Sequence, residues 1–156
     1  MFRKMRRHKQ ELSKEECVEI LNAQSRGVLA VLGDDEYPYT VPMDYVYVDG
    51  KLYFHAAMEG HKIDSIRKHE KVSFCVLNDG VKEADSWWYT FKSVIAFGKI
   101  RILNDDDEKK EKLTYLGNKY FPTPEETEDE IRRLLDRTAV FELNVEHMTG
   151  KIVREK

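Results

Sequence analysis

With 156 residues, of which 41% are hydrophobic and 35% charged, the chain has enough apolar material for one core and too much for disorder. Twenty-six basic against 29 acidic side chains give a formal charge of −3, which offers no overall attraction to a phosphate polymer. No window approaches the ~18 apolar residues of a membrane span, so neither nucleic acid nor membrane is expected as a partner.

The first twelve residues form a basic arm, with Arg3, Lys4, Arg6, Arg7 and Lys9 in its first nine positions. Polar Gln10-Glu11 follows where a secretion signal would have its apolar stretch, so a cytoplasmic location is expected. Ser13-Lys14-Glu15-Glu16 has capping-box spacing and Cys17, Ile20 and Leu21 share a helical face, which predicts a helix over about 14–24. Val28 to Leu32 is a continuous apolar run ended by Gly33-Asp34-Asp35, the pattern of a strand buried on both faces and then a turn. Tyr39 to Val48 is rich in aromatic and β-branched residues, Asp49-Gly50 is a two-residue hairpin signal, and Leu52 to Ala56 is the return strand.

His61 to His69, with Ile63 and Ile66 three apart, predicts a short crossover helix. Val72 to Leu77 is a strand, Asn78-Asp79-Gly80 a turn, and Trp88 to Leu103 a long strand in which Gly98 permits a bend or bulge. A charged helix is expected from Asn104–Asp107 to about Asn118. A second follows, opened by Thr123-Pro124-Glu125-Glu126 and ending near Asp136. Thr138 to Val145 is the closing strand, and residues 146–156 read as a polar tail. Cys17 and Cys75 lack CxxC spacing and are expected as reduced thiols, and no metal site is expected. The expectation is one domain over 1–156, α+β and mainly β, in which an antiparallel barrel or strongly curled sheet is bracketed by helices.

Three segments can carry chemistry. In Leu52-Tyr53-Phe54-His55-Ala56-Ala57-Met58-Glu59-Gly60-His61-Lys62 a strand runs into small residues, a glycine and a lysine at a helix start. Those parts suit a phosphate monoester: small residues admit the ligand to the backbone, and Lys62 adds charge to the helix dipole. The same spacing also makes an ordinary strand-to-helix connection. In Tyr39-Thr40-Val41-Pro42-Met43 the proline removes a ladder donor and marks an edge or interruption, where exposed backbone groups can pair with a heteroaromatic ring or the strand can simply end a sheet. Ser93, in Tyr89 to Gly98, is a lone hydroxyl in a packing-grade strand, and Trp87-Trp88 either stacks on a ligand or fills a core or interface.

Taken together in this order, "YTVPMDYVYVDGKLYFHAAMEGHKIDSI", "KVSFCVL" and "YTFKSVIAFGKI" resemble the flavin-binding split-barrel family related to pyridoxamine 5′-phosphate oxidase, and within it most the nitroimidazole-resistance (Nim) reductase branch. The resemblance runs from about Gly27 to Val145. It implies a six-stranded split barrel that forms a homodimer with FMN in clefts between the subunits. By matching position, Val41 and Pro42 would line the isoalloxazine, His55, Ala56, Ala57 and Lys62 would hold the ribityl phosphate end, and Ser93 and Val94 would approach the cleft, from the same or the partner subunit. The flavin would carry the redox step, and no side chain is assigned as acid or base. The oxidase's Thr-Asn strand end and Ser/Arg/Lys cluster are replaced here by His55-Ala56-Ala57 and Lys62, which argues against vitamin B6 oxidation.

The function so implied is an FMN-dependent oxidoreductase that passes electrons from NAD(P)H to a nitro compound, quinone or other small acceptor. No GxGxxG follows a strand, so NAD(P)H would be a transient visitor. The alternatives are a non-catalytic FMN or haem binding or storage protein, a deazaflavin-dependent reductase, and a structural dimer with an empty cleft.

Overall fold

The computed structural model describes residues 2–82, 84–85 and 87–154. Among these, nine strands form one antiparallel sheet: β1 (Glu11–Leu12), β2 (Arg26–Leu32), β3 (Pro38–Asp44), β4 (Val46–Val48), β5 (Lys51–Ala57), β6 (Lys71–Leu77), β7 (Val81–Lys82), β8 (Tyr89–Ile102) and β9 (Thr138–Arg154). The helices are α1 (Lys14–Ala23), α2 (His61–Lys68), α3 (Asp106–Tyr120) and α4 (Pro124–Leu134).

The sheet order is β3-β2-β6-β8-β9-β5-β4. Its two ends, β3 and β4, are consecutive stretches separated only by Tyr45, so the sheet curls back on itself. The first half of this stave pairs with β2 and the second with β5. Counting β3 and β4 as one stave and setting aside the two-residue β1 and β7 leaves six, the expected split barrel. The expected single strand over 39–48 is broken at Tyr45. There the backbone N–H donates to Tyr120 Oη at 2.9 Å, and the carbonyl accepts from the same hydroxyl at 2.7 Å. The Tyr120 hydroxyl also meets the Ser25 carbonyl, so one side chain from the end of α3 satisfies the backbone at the split.

Local signals set most boundaries. Ser13 and Glu16 form the reciprocal capping box, Thr123 caps α4 with Pro124 in its first turn, and Asp49 and Gly50 at φ 47° and 82° make the hairpin turn with the handedness that flanking strands favour. The β8–β9 register shifts between Phe97 and Gly98, where the extra residue is Glu146 of β9, so the bulge lies on the strand opposite the expected glycine. Leu29, Leu52, Phe54, Phe74, Phe141 and Leu143 fill the barrel, with Ile63 and Ile66 of α2 and Leu21 of α1 closing it.

Two expectations are corrected. Residues 146–154 are not a tail: β9 continues to Arg154, pairing with β8 as far as Thr90 and with β1. The run Val28 to Leu32 is not buried on both faces: burial alternates along β2, and Val28 is 37% exposed. Its outer face is apolar without being covered in the single chain.

Candidate functional site

β3 is hydrogen-bonded to β2 on one side and ends the sheet on the other, so Pro42 does lie on an edge strand. Val41 is half-buried against the core and Pro42 is exposed. β5 ends at Ala57, and Met58 to Gly60 lead into α2. Gly60 takes φ 128°, a region open to glycine, and among the described residues no side chain caps the helix there. Lys62 lies in the first turn, where the helix dipole already favours an anion.

His61 ties these pieces together. Its ring stacks on Tyr39 at 4.2 Å, and its Nε2 accepts from the Asp34 N–H at 3.3 Å. The start of α2 is thereby docked on the turn before β3, two residues from Val41. In the sequence His61 is one of several unplaced histidines, and only the contact identifies its role.

Alternation along β5 divides the expected phosphate group. Phe54 and Ala56 pack toward the barrel core, whereas Tyr53, His55 and Ala57 face outward. On that outer face α3 packs on β5 and β9, and α4 packs in turn on α3. Tyr53 Oη donates to Glu142 at 3.2 Å, and Lys51 and Arg101 donate to the same carboxylate at 3.0 and 2.9 Å. Burial raises the Glu142 pKa, but the Arg101 and Lys51 hydrogen bonds prevail and hold it below the ordinary carboxylate range. His55, itself exposed, borders a half-open cleft of about 250 Å³ between this face and the α3–α4 pair.

Ser93 and Val94 lie in the middle of β8, opposite Leu77 and Val76 of β6. Val94 is 1% exposed and packs in the core, so its side chain serves the fold. Ser93 is half-buried on the outer face. That face carries a cross-strand row of Pro42, Val28, Cys75, Ile95 and Thr149, with Phe97 and Leu77 close by in register. Val28, Ile95, Phe97 and Leu77 are 37%, 38%, 36% and 53% exposed, an apolar patch spread over three strands. Trp87 and Trp88 stack on each other at 4.2 Å, with Trp87 70% exposed, so this pair fills no core in the single chain.

The described helices include none long and apolar enough to cross a membrane. A FAD-binding protein from Mesorhizobium loti shares the fold, with 26% identity and a TM-score of 0.71 over 92% of this chain and 97% of that one. A candidate 5-nitroimidazole antibiotic resistance protein from Bacteroides thetaiotaomicron superposes with a TM-score of 0.77 at 21% identity, over 91% of this chain and 86% of the other. An uncharacterized protein of Rhizobium meliloti, RA0666, is 34% identical over 92 residues, which are 59% of this chain and only 56% of that relative. The sequence profile described as pyridoxamine 5′-phosphate oxidase matches residues 13–152, nearly the whole chain, and the chain therefore belongs to that family.

Proposed function

We propose that this protein is a flavoprotein that binds FMN between two copies of the chain and acts as an oxidoreductase on a small molecule. The observation that carries the reading is the docking of the uncapped start of α2, with Lys62, against the free edge of β3 through the His61–Tyr39 stack. One cation and a helix N-terminus suit a phosphate monoester. The unpaired backbone of an edge strand beside Val41 and Pro42 suits a ring that carries carbonyls and an N–H. The residues present thus fit the group.

In this reading Lys62 and the backbone after Gly60 bind the phosphate, Val41 and Pro42 line the ring, and the backbone of His55, Ala56 and Ala57 bounds the ribityl end. Ser93 borders the outer apolar patch, through which a second copy would cover the cleft, and Val94 contributes backbone only. When bound, the flavin supplies a reversible two-electron acceptor, taking electrons from NAD(P)H and passing them to the substrate. The Mesorhizobium loti relative is described as FAD-binding, which supports a flavin. FMN is preferred because the proposed anion site has one lysine, whereas a pyrophosphate would ask for more.

The test is the absorbance spectrum of the purified protein, followed by chromatography of the chromophore released on heating. Released FMN at about one per chain supports the reading, and Lys62→Gln should weaken FMN binding by about tenfold, the loss of one charge-assisted contact. Protein that is colourless and fails to bind added FMN or FAD overturns it, and a Soret band would favour the haem-binding alternative.

A further inference from the structure

The basic N-terminal arm lies outside the stretch that the family profile matches, which begins at Ser13. It is nevertheless fixed to the barrel at both ends. Phe2 stacks on His147 with ring centres 4.5 Å apart and planes 9° apart, and it leans on Phe97 at 5.7 Å. At the other end Glu11 and Leu12 pair with Lys151 and Gly150 as β1. Between these anchors the Gln10 N–H donates to the Arg7 carbonyl at 2.9 Å and closes a turn over His8–Gln10. Arg6, Arg7, His8, Lys9 and Gln10 thereby line an open concavity of about 290 Å³ that no acidic side chain borders.

Arg3, Lys4, Arg6, Arg7 and Lys9 are all exposed, and none forms an ion pair with a carboxylate among the described residues. Elsewhere Arg26, Lys51, Lys68, Lys99, Arg101 and Arg133 each meet one. Of the 26 basic side chains five lie in the arm, and the other 21 stand against 29 acidic ones, so the rest of the chain carries a formal −8. Unpaired cations gathered on an acidic body select a small anion. An extended polyanion, whether nucleic acid or an anionic bilayer, would meet the acidic body along with the arm. A bilayer also takes up an apolar side chain, and Phe2 is turned onto His147 and Phe97 instead. Two adjacent guanidinium groups with a lysine nearby favour phosphate over carboxylate, because a phosphate monoester carries close to two charges on three oxygens that planar forks meet in pairs.

We propose that the Arg6–Gln10 turn binds the phosphate group of a small organic phosphate monoester, at a site separate from the start of α2. Binding there does not depend on the flavin reading above.

The experiment is calorimetric titration of ribose 5-phosphate into the full chain, without FMN and with FMN in excess, with ribose, inorganic phosphate and phosphatidylglycerol vesicles as comparison probes. Ribose 5-phosphate should bind saturably in both conditions, inorganic phosphate should compete with it, and ribose should give no saturable heat. Arg6→Ser combined with Arg7→Ser should weaken ribose 5-phosphate by at least about tenfold at unchanged Tm. Arg132→Ser combined with Arg133→Ser removes the same charge from α4 and should leave the titration within about twofold of wild type, as should Lys62→Gln. The site is overturned by absence of saturable binding, by an equal loss in the α4 double variant, or by a loss in Lys62→Gln. Vesicle binding that needs Arg6 and Arg7 while ribose 5-phosphate stays unbound also overturns it and assigns the arm to a lipid surface. Failure to take up FMN, with the ribose 5-phosphate titration intact, overturns the flavin reading alone.

Discussion

Replacing Tyr120 with phenylalanine removes one oxygen atom from the seam where the barrel is split. That oxygen accepts from the Tyr45 N–H and donates to the Tyr45 or Ser25 carbonyl, and Tyr45 itself is fully buried, with no ladder partner at the break between β3 and β4. A buried donor left unsatisfied costs ~1–3 kcal/mol. Tyr120 is 36% exposed, so water reaches one side of the seam, which favours the lower half of that range, about 1–2 kcal/mol. Unfolding entropies near ~2.1 cal/mol/K per residue give roughly 330 cal/mol/K for 156 residues, and the substitution should lower Tm by about 3–6 °C. The assay is thermal unfolding by circular dichroism on flavin-stripped protein, since any ligand that binds only the folded state would raise Tm by mass action. Tyr115→Phe is the control, because its hydroxyl meets only Glu111 one turn away on the exposed surface of α3 and should cost no more than about 0.5 kcal/mol. A Tyr120→Phe midpoint within about 1 °C of wild type, or equal to that of Tyr115→Phe, would refute the assignment of Tyr120 as the group that closes the split.

Gly98→Ala places a Cβ 1.9 Å from the Asn144 backbone oxygen, a contact no rotamer relieves, so β8 and β9 must part at the bulge. The loss should reach about 3 kcal/mol or more, seen as a Tm at least ~9 °C lower or as insoluble protein, and normal yield with an unchanged melt would contradict the register. Glu142 titrates below the ordinary carboxylate range, so its contribution to stability is complete above pH ~4.3 and is lost as pH falls through its folded value. Glu142→Gln should therefore cost about 1–3 kcal/mol at neutral pH, with the gap from wild type closing toward pH 3, and urea midpoints at several pH values would expose a gap that fails to close.

The fold was legible wherever a signal is local. Ser13 with Glu16, Asp49-Gly50 and Thr123-Pro124 each specify a cap or a turn within a few residues, and each is found there, while Gly98 marks the place where β9 bulges opposite it. What was misread depends on partners distant in sequence. Glu146 to Lys151 alternates poorly and looks like a tail, yet β8 supplies a ladder for His147 to Lys151 over Phe97 to Ser93. The outer face of β2 is apolar enough to resemble a strand buried on both sides, and in the single chain only the inner face is covered. That misreading has physical content: apolar residues on the outer faces of β2, β6 and β8 are what a second copy would bury, as the proposed dimer requires.

The site shows the same division. The free edge at Pro42 and the glycine entry to α2 follow from residue type, and Val41, Pro42 and Lys62 lie on elements that the fold brings together through His61. That His55 and Ala57 share one face of β5 and Ala56 takes the other follows from the two-residue period of any strand, and could have been read from the sequence. No local pattern says that two charged helices from residues 106–134 will roof His55, because their apolar positions are few and Gly117 and Thr127 look like ordinary surface residues until the helices cross. An ammonium group kept from water is costly unless satisfied, and the buried Lys109 is satisfied by the Leu135 carbonyl at 3.1 Å and the Asp106 carboxylate at 3.6 Å, a pairing that ties α3 to the end of α4 and that only the crossing of the helices reveals.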